Sequence, residues 1–217
     1  MSAPIILVLV AALVAWTPSW RRLRHVVTAV HEGGHALVAV LTGRRLGPIR
    51  LHRDASGLTT HRGLASGPGL SLTTAAGYPA PALTGLGAAA LIDRGWPLAV
   101  LWTALVATVL LMLHVRNLFG WALLVLVAGA LAAATRWLDG DGQSWCAQVL
   151  AWLLLLGAPR TVWELQLHRR RHRDYGSDAD QLARQTRVPA IIWVTLFAAI
   201  ALGALAGGGY LLLRPLS

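Results

Sequence analysis

Seven apolar stretches, separated by short polar segments, run through almost the whole chain. They lie at about residues 5–19, 26–42, 75–92, 97–113, 118–135, 145–158 and 189–213. A helix needs roughly 20 residues to cross the hydrocarbon core of a bilayer, and most of these stretches approach or reach that length. No basic region precedes the first stretch, so we expect a retained helix there and not a cleaved signal peptide. The pattern predicts an all-α polytopic membrane protein with six or seven transmembrane helices.

Two polar segments interrupt the apolar pattern, at residues 44–74 and 159–188. In the first, short β-type runs flank a turn-forming Asp-x-Ser-Gly sequence, which predicts a small β-hairpin. The second is rich in Arg, and Ser177 near its end is a candidate N-cap for a short helix that leads into the last span. No internal repeat divides the chain, so we expect a single integral-membrane domain over residues 1–217.

The composition agrees with a membrane location. Hydrophobic residues make up 56% of the 217 residues and charged residues only 13%, whereas a soluble domain has about 25% charged residues. The 19 basic residues are all Arg and give a net charge of +10, but most of them cluster beside apolar stretches. Such clusters are typical of segments that contact anionic lipid headgroups, and this arrangement disfavours nucleic acid as a partner.

The distribution of Arg also predicts an orientation. If the four apolar stretches between residues 75 and 158 all cross the membrane, segments 44–74 and 159–188 share the side that carries more Arg. The positive-inside rule places that side in the cytoplasm. We therefore expect a multi-pass membrane protein with both segments in the cytoplasm, in contact with the lipid bilayer, whose oligomeric state the sequence leaves open.

The strongest chemical signal is a His-Glu-Gly-Gly-His sequence inside an apolar stretch. On a helix His31 and His35 lie one turn apart on the same face, where two imidazoles can bind one metal ion with Glu32 beside them. The chain has only 8 His and two Glu, so a chance occurrence of this HExxH pattern is rare. A charge in an apolar helix is costly, and a bound Zn²⁺ offsets that cost. Gly33 and Gly34 predict close helix packing, room for metal and substrate, or both.

The predicted cofactor is therefore one Zn²⁺ per chain. A catalytic zinc ion keeps one position open for water and lowers the pKa of that water to about 7. Glu32 is the candidate general base, which takes the proton from the water and passes it to the leaving amide nitrogen. A carboxylate has to complete the ligand set of His31 and His35, and the chain offers several acidic residues for that position.

Asn117 is a second candidate catalytic residue, at the boundary of an apolar stretch. Its amide can hold the backbone of a substrate or stabilise a tetrahedral oxyanion, which lowers the barrier to acyl transfer. The alternative is a structural role, in which the amide makes a hydrogen bond to a neighbouring helix.

Together these features resemble the site-2 protease family of zinc intramembrane metalloproteases, in particular its compact bacterial branch. The resemblance rests on the HExGH motif early in a small polytopic chain and on the hairpin directly after its helix. It also covers Ala-Gly-Tyr at 76–78, Arg-Asn-Leu-Phe-Gly at 116–120 and Ser-Asp-Ala at 177–179. It implies a zinc-dependent endopeptidase of the bacterial cytoplasmic membrane that cleaves membrane-embedded or membrane-proximal peptide bonds.

The resemblance also bears on the third zinc ligand. The compact branch features the Ser-Asp-Ala element before the final span, which implies Asp178 as the ligand. The best-known members use the Asp of a Leu-Asp-Gly motif, and Asp139 stands in such a motif here, without the upstream prolines of that pattern. Asp180 is the third alternative. The resulting prediction is a metal site of His31, His35 and Asp178, with Asp139 and Asp180 as alternatives.

The leading function is thus intramembrane proteolysis, with a transmembrane protein or peptide as substrate. A substrate helix has to unwind before cleavage, because its carbonyls are already hydrogen-bonded, and the hairpin can hold the unwound segment as an added strand. The alternatives are a non-proteolytic membrane scaffold that retains a structural zinc site, and a metal-handling transporter. A transporter would place ionisable residues on several spans, whereas most of these stretches contain almost no ionisable residues.

Overall fold

The computed structural model of the protein describes residues 3–171 and 176–214. It is mostly helical and contains one two-stranded antiparallel hairpin, as the sequence predicted. Several helices begin with Pro in the first turn, where its missing N–H has no partner to lose. In chain order the elements are α1 (Ala3–Ala15), α2 (Thr17–Leu41), β1 (Arg45–Leu51), β2 (Gly57–Arg62), α3 (Pro68–Ala75), α4 (Pro79–Asp93), α5 (Pro97–Met112), α6 (Leu118–Trp137), α7 (Gly140–Arg171), α8 (Asp178–Thr186) and α9 (Ala190–Leu213).

Three helices in the described part of the chain are long and apolar enough to cross a membrane, namely α6, α7 and α9. Two pairs of helices pass the same test together but are sharply bent, α1 with α2 by 101° and α3 with α4 by 65°. Helix α5 is apolar but has only 16 residues. By length and composition the described residues thus contain three to five candidate spans, fewer than the predicted six or seven.

The difference in the number of spans arises largely at helix breaks that apolarity does not reveal. The stretches 5–19 and 26–42 form the separate helices α1 and α2, as expected, but neither passes the test for a span alone. Together, bent by 101°, they pass it as a broken span or a re-entrant loop. The stretch 97–113 forms α5, which is shorter than the other candidate spans. Hydropathy therefore located the apolar segments correctly but predicted more spans than the described helices provide by length and composition.

The predicted Arg-rich segment 159–188 is also more helical than the sequence suggested. Helix α7 continues through Pro159 to Arg171, so the first part of this segment extends a candidate span. Residues 172–175 lie outside the described residues. Ser177 caps α8 as predicted, because its side chain accepts a hydrogen bond from the Asp180 N–H at 3.3 Å.

Helix α7 lies at the centre of the helical core and packs against α1, α4, α5 and α9. Trp20, Trp152 and Leu155 are fully buried in this core. Small residues let the helices approach closely, since a Cβ on Gly85 would lie only 3.0 Å from Leu155 Cγ. Through Trp20 the core also holds α2, the helix that carries the HExxH motif.

The hairpin has one covered edge, on β1, and one open edge, on β2, with which no other backbone segment pairs in the described part of the chain. On β1, Ile49 donates its N–H to His114 O at 2.9 Å and accepts from Arg116 N–H at 2.9 Å, so residues 114–116 cover the outer edge. Thr59 on β2 lies opposite Ile49. In an antiparallel pair, both residues of such a non-hydrogen-bonded position turn their N–H and C=O groups outward. Thr59 therefore presents its backbone groups at the outer edge of β2.

Candidate metal centre

The structure brings His31, His35 and Asp178 together from two distant parts of the chain. Asp178 Oδ2 lies 3.3 Å from His31 Nε2 and 3.2 Å from His35 Nε2, and the two Nε2 atoms are 3.1 Å apart. Burial alone would raise the pKa of the Asp178 carboxyl, but the two nearby imidazoles hold that pKa well below its usual range. The carboxylate is therefore charged where it faces the histidines.

The imidazole of His35 is oriented by the end of α3. Its Nδ1 lies 2.8 Å from the backbone O of Thr73, a distance at which Nδ1–H donates to the carbonyl. This hydrogen bond fixes the tautomer that leaves Nε2 free to bind a metal ion. The ring of His31 packs edge-on against Tyr78 with 4.8 Å between the ring centroids, and Tyr78 stacks on Phe197.

Two glycines allow the backbone to approach this cluster. A Cβ on Gly77, between α3 and α4, would lie 2.4 Å from His35 Nε2 and 2.6 Å from His31 Nε2. A Cβ on Gly34 would lie 2.5 Å from Ala80 Cβ, so Gly34 serves the close helix packing that the sequence predicted. Gly33 has open space at the same position. Only a glycine fits at 77 without displacing the imidazoles.

Glu32 lies beside the histidines and is held by the hairpin. Its side chain is buried, and Thr59 Oγ1 donates a hydrogen bond to Glu32 Oε2 at 2.6 Å. Gly57 also lies against this carboxylate, because a Cβ there would come within 2.3 Å of Glu32 Oε1. Strand β2 thus fixes the side chain that the sequence proposed as the general base.

A cavity of about 770 Å³ contains this cluster. Its walls include Glu32, the three candidate ligands, Leu58 and Thr59 of β2, and the Arg-rich end of α7. His61 also lines it, and Arg44 Nε donates to His61 Nδ1 at 3.0 Å. Burial and the Arg44 charge lower the pKa of His61, which favours the neutral imidazole. The cavity therefore connects the candidate ligands with strand β2 and with the polar end of α7.

Comparison with known proteins identifies the family. Residues 4–208 match the family profile described as Peptidase M50B-like. The chain belongs to this family. The match confirms the predicted resemblance to site-2 proteases and indicates a metallopeptidase. No curated protein and no solved structure matches the chain.

The donor set of this M50B-like chain fits the metal that its family uses. M50 peptidases are zinc metalloproteases, and two imidazole nitrogens with one carboxylate oxygen suit a catalytic zinc ion with an open fourth position. Asp178 Oδ2 is buried and, apart from the two imidazole nitrogens beside it, has no hydrogen-bond partner among the described residues. A cation bound here would provide this buried carboxylate oxygen with a charged partner.

Of the three candidate carboxylates, Asp178 is the one that lies with the histidines in the described part of the chain. Asp139 instead caps the start of α7, where its Oδ1 accepts a hydrogen bond from Gly142 N–H at 2.7 Å. Asp180 is engaged by Arg169, whose Nη2 lies 2.9 Å from Asp180 Oδ1. Both alternatives therefore have other partners in this M50B-like fold.

The structure does not bring Asn117 to the metal-ligand cluster. Its Oδ1 accepts a hydrogen bond from Leu51 N–H at 3.1 Å, and its Nδ2 donates to Leu51 O at 2.7 Å. Both ends of the amide are thus used to extend the covered edge of β1. This geometry supports a structural role for Asn117, with a strand as the partner where the sequence suggested a helix.

The sequence did not single out three residues that shape this site. Thr73 acts through its backbone carbonyl, which no side-chain pattern can reveal. Nothing in the sequence distinguishes Thr59 from other strand residues, because its role depends on how the hairpin packs on α2. Gly77 belongs to the Ala-Gly-Tyr element that contributed to the family resemblance, and this was the one available signal.

Proposed function

We propose that this protein is a zinc-dependent intramembrane endopeptidase. The observation that carries the proposal is the meeting of His31, His35 and Asp178 with Glu32 in one cavity, in a chain of the M50B-like family. The candidate spans around this cavity support a substrate that is itself membrane-embedded or membrane-proximal.

In the proposed reaction His31, His35 and Asp178 would hold the metal ion. When bound, zinc would act as a Lewis acid toward a water molecule and a peptide carbonyl. Glu32 accepts the proton of the attacking water and delivers it to the amide nitrogen that leaves. Thr59 keeps the Glu32 carboxylate in place during both transfers through the 2.6 Å hydrogen bond from its hydroxyl.

The outer edge of β2 is the proposed docking site for the substrate backbone. The opposite edge of the hairpin is already paired with residues 114–116, whereas β2 lines the cavity. An unwound substrate segment that pairs with Thr59 would regain the backbone hydrogen bonds that it loses on leaving its helix. Its scissile bond would then lie close to Glu32.

Zinc content and cleavage of purified variants test the proposal. The protein is reconstituted in liposomes with synthetic transmembrane peptides, and new peptide termini are identified by mass spectrometry. Glu32→Ala is expected to keep zinc and lose cleavage, whereas Asp178→Ala is expected to lose zinc. Asp139→Ala is the matched control and should resemble the wild type.

Other outcomes would redirect the assignment. Normal cleavage by Glu32→Ala would remove the proposed general base, and loss of zinc in Asp139→Ala alone would change the third ligand. A wild-type protein that holds zinc and cleaves no peptide would favour the scaffold alternative.

A further inference from the structure

We propose that the ion pair between Arg169 and Asp180 positions Asp178 for metal binding and thereby sets the zinc affinity of the protein. The inference rests on the proposed zinc site and adds two positioning residues to it. Neither residue touches the metal-ligand cluster, so both act through the placement of α8.

The contact between the two side chains is close and has several components. Arg169 Nη2 and Nε lie 2.9 Å and 3.1 Å from Asp180 Oδ1, and Nε lies 3.3 Å from Oδ2. Asp180 is only 6% exposed. A guanidinium that grips a carboxylate at two points fixes direction as well as distance, which a lone point charge does not.

Because Asp178 and Asp180 lie on the same short helix, an ion pair that fixes Asp180 also fixes the position of Asp178. The two aspartates are two residues apart, which on an α-helix corresponds to roughly 200° of rotation. Asp178 accordingly faces α2 and its histidines, while Asp180 faces the end of α7. A helix held on one face by Arg169 presents the other face to the metal site.

At its far end α8 also contacts α3, where Gln185 Nε2 donates a hydrogen bond to Thr74 Oγ1 at 3.1 Å. The other contacts close to Asp178 are less directional. Ala179 and Leu182 are buried among apolar side chains of α7 and α9. Because the hydrophobic effect is non-directional, these contacts keep α8 buried but do little to fix its rotation about its own axis. Asp178 lies in the first turn of a helix with nine residues, so a small rotation there would carry its carboxylate away from the imidazoles. The ion pair opposes that rotation.

The C-terminal extension of α7 supplies the arginine of this ion pair. Helix α7 continues past Pro159 into an Arg-rich end, and Arg169 on that end is the residue that meets α8. Arg170 and Arg171 are exposed. Arg170 therefore offers a matched control, with the same charge one residue away.

Zinc affinity, measured on the full-length detergent-solubilised protein by competition with a chelator, tests the inference. Arg169→Gln and Asp180→Asn are each expected to weaken zinc binding by roughly 10–100-fold, the usual effect of losing a group that orients a ligand. The double variant should be no weaker than the worse single variant, because both changes break one contact. Arg170→Gln should match the wild type.

Two further measurements separate positioning from general stability. Co²⁺ in place of zinc should show altered visible absorption bands in Arg169→Gln, since the carboxylate ligand is displaced. Arg169→Lys keeps the charge without the two-point grip, and it should give an intermediate affinity even if the glutamine variant folds poorly. The unfolding temperature of the metal-free variants is recorded alongside.

Wild-type zinc affinity in Arg169→Gln and Asp180→Asn would overturn the inference, as would a lowered unfolding temperature with unchanged affinity and an unchanged cobalt spectrum. Either result would leave the proposed peptidase intact. A wild-type protein that binds no zinc would overturn the inference and the proposed function together. A wild-type protein that binds zinc but cleaves no peptide would count against the proposed function alone.

Discussion

Thr59 holds the Glu32 carboxylate from the neighbouring strand at 2.6 Å. Removing the hydroxyl leaves the buried carboxylate without this donor and free to turn away from the water it has to deprotonate. We predict that Thr59→Val lowers kcat on the order of 10- to 100-fold with unchanged zinc content, as is typical when an orienting partner is lost. Thr59→Ser keeps the hydroxyl and should restore most of the rate. A valine variant with wild-type kcat would contradict this role.

Gly77 is the point at which backbone touches the ligand nitrogens. A methyl group there would overlap His35 Nε2, which it would approach to 2.4 Å. We predict that Gly77→Ala loses most of its bound zinc, measured as metal per protein by mass spectrometry. Gly33→Ala is the matched control, because nothing lies within 4 Å of that position. Full zinc occupancy in Gly77→Ala would show that the chain can move aside.

At the scale of elements, the open edge of β2 makes the proposed strand addition testable with modified substrates. An added strand uses the N–H groups of alternate residues, since successive ones point in opposite directions. We predict that N-methylation of single peptide bonds in a cleaved substrate raises KM at every second position near the cleavage site. The intervening positions provide the control. An effect without this period of two would argue against pairing with Thr59.

Elements with local signals could be predicted from the sequence, and those set by long-range contacts could not. The hairpin follows from its turn residues, and the start of α8 follows from Ser177, whose side chain caps the helix. The choice of Asp178 over Asp180 depends on how α8 rotates between α2 and α7, which spacing does not report. Pro18 in the first turn of α2 marks a helix break near Trp16, but neither this Pro nor hydropathy reports the 101° angle between α1 and α2.

At the scale of the whole molecule, the hairpin and the Arg-rich end of α7 line one cavity. They therefore lie close to each other, as a shared side of the membrane requires, and the positive-inside rule leads us to expect that side to be the cytoplasm. We predict that single cysteines at Arg53 and Arg170, introduced after Cys146→Ser, react with an impermeant maleimide only when the cytoplasmic face is exposed. A cysteine at Arg94 should react in intact cells. The reverse pattern would invert the orientation.

The length of helix α7 also bears on how a metal ion would reach the proposed zinc site. Its 32 residues span about 48 Å, against about 30 Å for the hydrocarbon core, so its Arg-rich end extends into water. That end forms part of the cavity wall. In the proposed peptidase, zinc would then enter and leave the site without crossing lipid, and we expect its occupancy to follow the free zinc concentration of the compartment on that side. Depletion of this pool would then inactivate the proposed peptidase without altering its amount.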